Sequence, residues 1–123
     1  MNVMQNIIQG NDEIDAVYGH NDDCTLGALQ AIDSAGLLVP AGEEGHIFIV
    51  GIDGVMDAIK AIHDGSIDET ISQDPIGMGA AAVELAVAAA KGEELEKKQI
   101  QDSYVIDASN CDEETHWGIA AQL

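Results

Sequence analysis

Asn21, Asp53 and Gln73 are the residues of this chain whose types and positions could do chemistry, because each directly follows or ends an apolar stretch with the composition of a β-strand. Asp53 is the pivot. It closes the run His46-Ile47-Phe48-Ile49-Val50-Gly51-Ile52-Asp53-Gly54, in which every residue from Ile47 to Ile52 except Gly51 is Ile, Phe or Val. Such a run, with no alternation of polar residues, reads as a strand covered on both faces, the mark of a parallel sheet in an α/β protein. In open sheets of that kind ligands sit beyond the carboxyl ends of the strands. Parallel strands would deliver Asn21, Asp53 and Gln73 to one edge. A carboxylate accepts hydrogen bonds from two hydroxyls, and an amide offers both donor and acceptor, so the set suits a polyol with vicinal hydroxyl groups; sugar is the natural ligand class. The same positions also suit a structural role, with Asn21 and Asp53 capping helices and Gln73 in a loop. Spacing leaves both readings open.

Catalytic patterns are missing from the sequence. It has no Ser-His-Asp order, no Gly-x-Ser-x-Gly elbow, no phosphate loop and no His-Glu-x-x-His helix. Asp22 and Asp23 beside Asp53 have the chemistry to hold magnesium, but no lysine or Ser/Thr phosphate partner ends a following strand. Cys24 and Cys111 match no metal or redox spacing and read as free thiols. The expectation is a binding protein, not an enzyme, with no cofactor and no metal.

Composition narrows the partners. A chain of 123 residues with 46% apolar content can bury one small core. Twenty-three acidic residues against four lysines and no arginine give a formal charge of −19, which repels nucleic acid and anionic lipid alike. The most apolar stretch, residues 76–90, contains Glu84 and falls short of the roughly 20 residues of a membrane span, so no membrane insertion is expected. The first nine residues lack the basic region and long apolar core of a secretion signal.

The elements that must position the three polar residues follow from periodicity. Residues 3–8 carry apolar side chains on one helical face, with no strand before them, so the chain reads as a fragment opening on the tail of a βα unit. Residues 14–19 read as a strand, and Asn21-Asp22 opens a helix that ends near Ala35-Gly36. A loop, residues 37–45, leads into the strand 47–52; a helix follows, closing at His63-Asp64-Gly65, where His63 suits the negative end of the dipole better than a ligand role. Residues 67–72 form a third strand, and Asp74-Pro75 caps and starts a helix over 75–91 that is apolar on all sides and therefore needs cover from another surface. Residues 92–98 are a charged connection, 104–106 a possible fourth strand, and 112–121 a short terminal helix carrying Trp117. The order selects a three-layer α/β fold, doubly wound, with a parallel sheet of three to four strands and right-handed crossovers.

The segments Tyr18-Gly19-His20-Asn21-Asp22-Asp23, Leu26-Gly27-Ala28-Leu29-Gln30-Ala31, Ile49-Val50-Gly51-Ile52-Asp53-Gly54 and Thr70-Ile71-Ser72-Gln73-Asp74-Pro75, in that order and spacing, resemble the C-terminal part of ribose-type periplasmic sugar-binding proteins. These are the type I solute-binding proteins of ABC importers. The resemblance runs from about residue 3 to 106. It implies a two-lobed receptor closing on a monosaccharide, with Asn21, Asp53 and Gln73 binding its hydroxyls and an ABC transporter permease as partner of the full-length form, which would work in the periplasm or on the extracellular face. It also implies that residues 1–73 belong to the C-terminal sugar-binding lobe, 74–100 to a helix of the opposite lobe, and 101–123 to the return crossing and tail. The opposite lobe and its aromatic and arginine contacts are absent, and Trp117 lies outside the matched stretch. Two other readings stand beside this one: the effector domain of a ribose-repressor-like transcription regulator, and a truncated self-associating module. The uncovered helix predicts a homodimer in which residues 75–91 pack on a symmetry mate.

Overall fold

A computed structural model describes residues 2–120; Met1 and residues 121–123, among them the expected last residue of the terminal helix, lie outside it. The elements run α1 (Asn2–Gly10), β1 (Ala16–Tyr18), α2 (Asp22–Ser34), β2 (Phe48–Asp53), α3 (Met56–His63), β3 (Glu69–Ser72), α4 (Pro75–Ala90), β4 (Tyr104–Asp107) and α5 (Trp117–Ala120). Among the described residues the expected terminal helix is one turn, Trp117–Ala120, preceded by turns through residues 108–115.

The strands form one sheet in the order β1-β2-β3-β4. β1, β2 and β3 are parallel, with Val17 opposite Ile49 and Ile52 opposite Ile71. This is the α/β arrangement expected from the unbroken apolar run. The fourth strand departs from the expected direction: β4 runs antiparallel to β3, with Thr70 opposite Ile106. The reason is the route of the chain, which leaves β3 at its carboxyl end, runs out along α4 and re-enters the sheet from that same end.

Cover is also one-sided among the described residues. Ile49, Gly51, Thr70, Ser72 and Ile106 are buried beneath the helices, whereas Phe48, Tyr18 and Val105 on the strands are exposed. α2 and α3 pack against each other and share one core of Ala28, Ile32, Ile49, Ile59, Ile62, Ile67 and Ile106, with Met4 of α1 closing its edge. Consecutive parallel strands joined by right-handed crossovers in one spatial direction place their helices on the same face. The layer expected on the second face is therefore missing, and β2 is buried on alternate residues instead of throughout.

The helix termini are set by the residues that mark them in the sequence. Asn21 Oδ1 accepts the Cys24 N–H at 2.8 Å at the start of α2, and Asp74 Oδ1 accepts the Gly77 N–H at 2.8 Å at the start of α4, with Pro75 in the first turn. α4 buries no residue at all, and its Ile76, Val83 and Val87 stand open, as an all-apolar helix without a neighbour must. The long loop before β2 is tied down at the opposite end of the sheet from Asp53. His46 donates Nδ1–H to the Val39 carbonyl at 2.7 Å and sets Nε2 3.0 Å from both Asp68 carboxylate oxygens. Burial works against its charge, but the Val39 carbonyl and the Asp68 carboxylate outweigh burial and hold the imidazole pKa above its usual value. Cys24 is exposed and Cys111 buried, both free thiols.

Candidate functional site at the carboxyl edge of the parallel strands

The parallel register brings β1, β2 and β3 out at the same edge, so Asn21, Asp53 and Gln73 all emerge there. Asp53 pairs with Ser72, and the Gln73 N–H donates to the Asp53 carbonyl at 3.2 Å. The Gln73 side chain returns across the same gap: its Nε2 donates to Asp53 Oδ1. Asp53 and Gln73 therefore form one amide–carboxylate unit. It leaves Asp53 Oδ2 and the Gln73 carbonyl oxygen as acceptors and the second amide hydrogen as a donor. Asn21 shares the edge but not the contact; its Oδ1 is committed to the α2 cap, leaving the amide nitrogen as the free group. Asp53 caps no helix: the residue before α3 is Val55, which makes no side-chain cap.

Beside the pair lies a cavity of about 250 Å³ lined by Asp53, Val55, Gln73, Pro75, Met78 and Trp117. A larger cleft of about 680 Å³ adjoins it through Gln73 and Trp117 and runs between the start of α4 and the returning chain, past Asp102, Tyr104 and His116. A few convergent polar groups on an apolar wall is the make-up of small-molecule sites.

Two residues hold the pivot, and neither role was legible in the sequence. The first is Asp22, read above as a helix-opening residue and possible magnesium ligand. Its carboxylate is fully buried: Oδ2 accepts the Gly54 N–H at 2.8 Å and the Val55 N–H at 2.9 Å, and Oδ1 accepts the Thr70 hydroxyl at 2.7 Å. Asp22 thus joins the start of α2, the β2–α3 turn and β3, and its oxygens are occupied by protein donors. Gly51 leaves the space, since a Cβ there would overlap Asp22 Oδ1. Burial pushes the Asp22 carboxyl pKa up, more than the Thr70, Val55 and Gly54 donors hold it down, with Asp53 adding repulsion.

The second is Trp117. Asp53 has a φ of +133°, in the region that L-residues rarely occupy and that costs about 1–3 kcal/mol to hold. Its carbonyl is fixed from two sides, by the Gln73 N–H and by the Trp117 indole N–H at 2.7 Å. Trp117 is 64 residues from Asp53 in the chain, so no local pattern could pair them.

Comparison with known proteins agrees with this architecture. The sequence profile described as "Periplasmic binding protein domain" matches residues 1–94. The ribose import binding protein of Escherichia coli (strain K12) is 39% identical over 98 residues, covering 80% of this chain and 31% of that protein. A periplasmic solute-binding protein of an ABC transporter from Actinobacillus succinogenes, solved with bound D-allose, superposes with a TM-score of 0.80 at 30% identity, covering 89% of this chain and 37% of that one. A solute-binding protein from Bacillus halodurans, solved with myo-inositol, gives a TM-score of 0.78 at 34% identity over 90% of this chain and 36% of that one. The chain spans about a third of the length of these relatives. From the sheet edge, the profile and the superpositions together, the chain belongs to the periplasmic binding protein domain family.

Proposed function

We propose that this chain is the substrate-binding part of a sugar ABC importer, holding a monosaccharide or related polyol at the carboxyl edge of β1–β3 through Asp53, Gln73 and Asn21. The observation that carries this is the Asp53–Gln73 unit on neighbouring parallel strands, which presents two acceptors and a donor beside an apolar cavity. The sugars named for the relatives, ribose and D-allose among them, and myo-inositol, share this requirement for paired hydroxyl recognition. Residues 1–73 supply the sugar-binding lobe. Residues 74–100 belong to the opposite lobe of the longer form and 101–123 to the return crossing and tail, a division supported by the unburied α4 and the reversed direction of β4. In that longer form the protein works in the periplasm or at the outer face of the membrane with a permease as partner. The role is binding, without a chemical step.

Titration calorimetry of the chain against pentoses, hexoses and polyols up to millimolar concentration tests the reading. One or more should give a saturable heat, weak because half a cleft supplies few contacts. Asp53→Ala should weaken that ligand at least about tenfold, the loss expected when a charged acceptor is removed from hydroxyl donors. A saturable heat indifferent to Asp53→Ala, or no heat with any of these ligands, sinks it.

The cover for α4 in the isolated chain is a second copy. Ile76, Val83 and Val87 on α4, with Phe48 and Tyr18 on the open face of the sheet, are too much apolar surface for a monomer to leave wet. Light scattering behind size exclusion should give twice the 12.9 kDa chain mass, and the dimer should tighten with added salt as screening weakens repulsion between two chains of charge −19 each. A monomer at low micromolar concentration and high salt contradicts this.

A further inference from the structure

We propose that Trp117 is a ligand-contacting residue of this site, its indole forming the apolar wall against which the C–H face of the bound polyol packs. The inference rests on the reading of the Asp53–Gln73 edge as a polyol site. Three observations carry it. Trp117 lines the cavity that also contains Asp53 and Gln73, and the adjoining cleft as well, so the ring borders both cavities beside the polar pair. Its N–H is already spent on the Asp53 carbonyl, which anchors the ring in place and leaves its carbon surface, not its polar atom, for a ligand. The residue is half-buried, neither closed into the core nor free in solvent, while its neighbours His116 and Gly118 are buried.

Chemistry gives the wall a purpose. A sugar is amphipathic: hydroxyls spread around its rim and C–H groups gathered on a face. The Asp53–Gln73 unit satisfies the rim but offers the face nothing. Val55, Pro75 and Met78 complete an apolar lining around the indole, and a large rigid aromatic surface contributes most of the contact energy where it is present. The expected specificity follows: polyols with a continuous C–H face bind better than open-chain polyols of the same hydroxyl count.

Trp117 is the only tryptophan in the chain, so the wild-type protein reports on the proposal directly. With the ligand found by calorimetry, tryptophan emission should change saturably at the same midpoint as the heat. In calorimetry Trp117→Ala should weaken binding about tenfold, whereas Trp117→Phe, which keeps a smaller aromatic ring and loses the indole N–H, should stay within about threefold of wild type. Saturating heat with unchanged wild-type emission, or wild-type affinity in Trp117→Ala, overturns the wall while leaving the sugar site standing. Equal losses in Trp117→Phe and Trp117→Ala also overturn it, because the ring would then act only by holding Asp53. No saturable heat with any sugar removes the site itself, and the wall with it. Should Trp117→Ala fail to fold by circular dichroism, the wild-type emission titration decides alone.

Discussion

Asp22→Ala should lower the unfolding free energy by about 3 kcal/mol or more, because it strands three donors at once at about 1–3 kcal/mol for each one left buried. The donors are the Gly54 and Val55 N–H groups and the Thr70 hydroxyl. Water cannot easily replace the carboxylate, since Thr25, Thr70 and Ser72 around it are themselves buried. Asp22→Asn is the informative companion. Its oxygen can accept both N–H groups while its amide donates to the Thr70 oxygen, so each of the three partners keeps a hydrogen bond, Thr70 now as acceptor, and stability should stay within about 1 kcal/mol of wild type. Urea unfolding followed by far-ultraviolet circular dichroism measures both. An alanine variant as stable as the asparagine one would mean that Asp22 is not what ties the β2–α3 turn to β3.

The same pair predicts a pH dependence with a definite sign. The folded Asp22 carboxyl has a raised pKa, so between the ordinary aspartate value near 4 and its folded value the native state holds more protons than the unfolded chain. Stability from this group is therefore present at low pH and falls as pH rises through that window. Asparagine mimics the protonated form and does not titrate, so the stability of Asp22→Asn relative to wild type should grow as pH rises from about 4 toward neutrality. His46 is separable because it acts higher: its raised pKa makes its contribution complete below about 6.5 and lost as pH climbs through the folded value. A difference between wild type and Asp22→Asn that stays flat from pH 4 to 7 contradicts the assignment.

What could be read from the sequence, and what could not, divides by range. The strand that ends at Asp53 was legible because five of six consecutive positions carry the pattern, and the α2 and α4 starts because Asn21 and Asp74-Pro75 do their capping within three residues. The uncovered state of α4 was legible from its composition alone. The direction of β4 was not, since Tyr104-Val105-Ile106 is an equally good strand run either way and its pairing depends on where the chain re-enters the sheet. The open second face escaped as well. A continuous apolar run states what a strand would prefer to bury, and the helices that lie over it are set by crossover handedness. At the site, the grouping of Asn21, Asp53 and Gln73 at one edge follows from parallel strands, but the contacts of Asp53 with Gln73 and Trp117 span 20 and 64 residues, those of Asp22 with the following turn and β3 span 32, 33 and 48, and none leaves a periodic trace.

Gly118→Ala should detach the C-terminal segment from the site. A methyl group at Gly118 would overlap the Gly54 carbonyl and lie 2.8 Å from the Met56 nitrogen, and both obstacles are backbone atoms of the turn that carries Asp53. A side chain could rotate away; this turn cannot, because Asp22 holds Gly54 and Val55 from beneath. The movement must therefore come from α5, at a cost of about 2 kcal/mol for overpacking against fixed groups. As α5 lifts, the Trp117 N–H leaves the Asp53 carbonyl and the ring enters water, so the emission of the single tryptophan should shift to longer wavelength along with the fall in melting temperature. The apolar wall beside Asp53 and Gln73 leaves with the ring, so ligand affinity should drop with the emission shift. Gly79→Ala is the control: nothing lies within 4 Å of a Cβ at that position in α4, where alanine is the better helix former, so neither emission nor stability should fall. A Gly118→Ala protein with wild-type emission and melting temperature would show that α5 is not seated against the turn that carries Asp53.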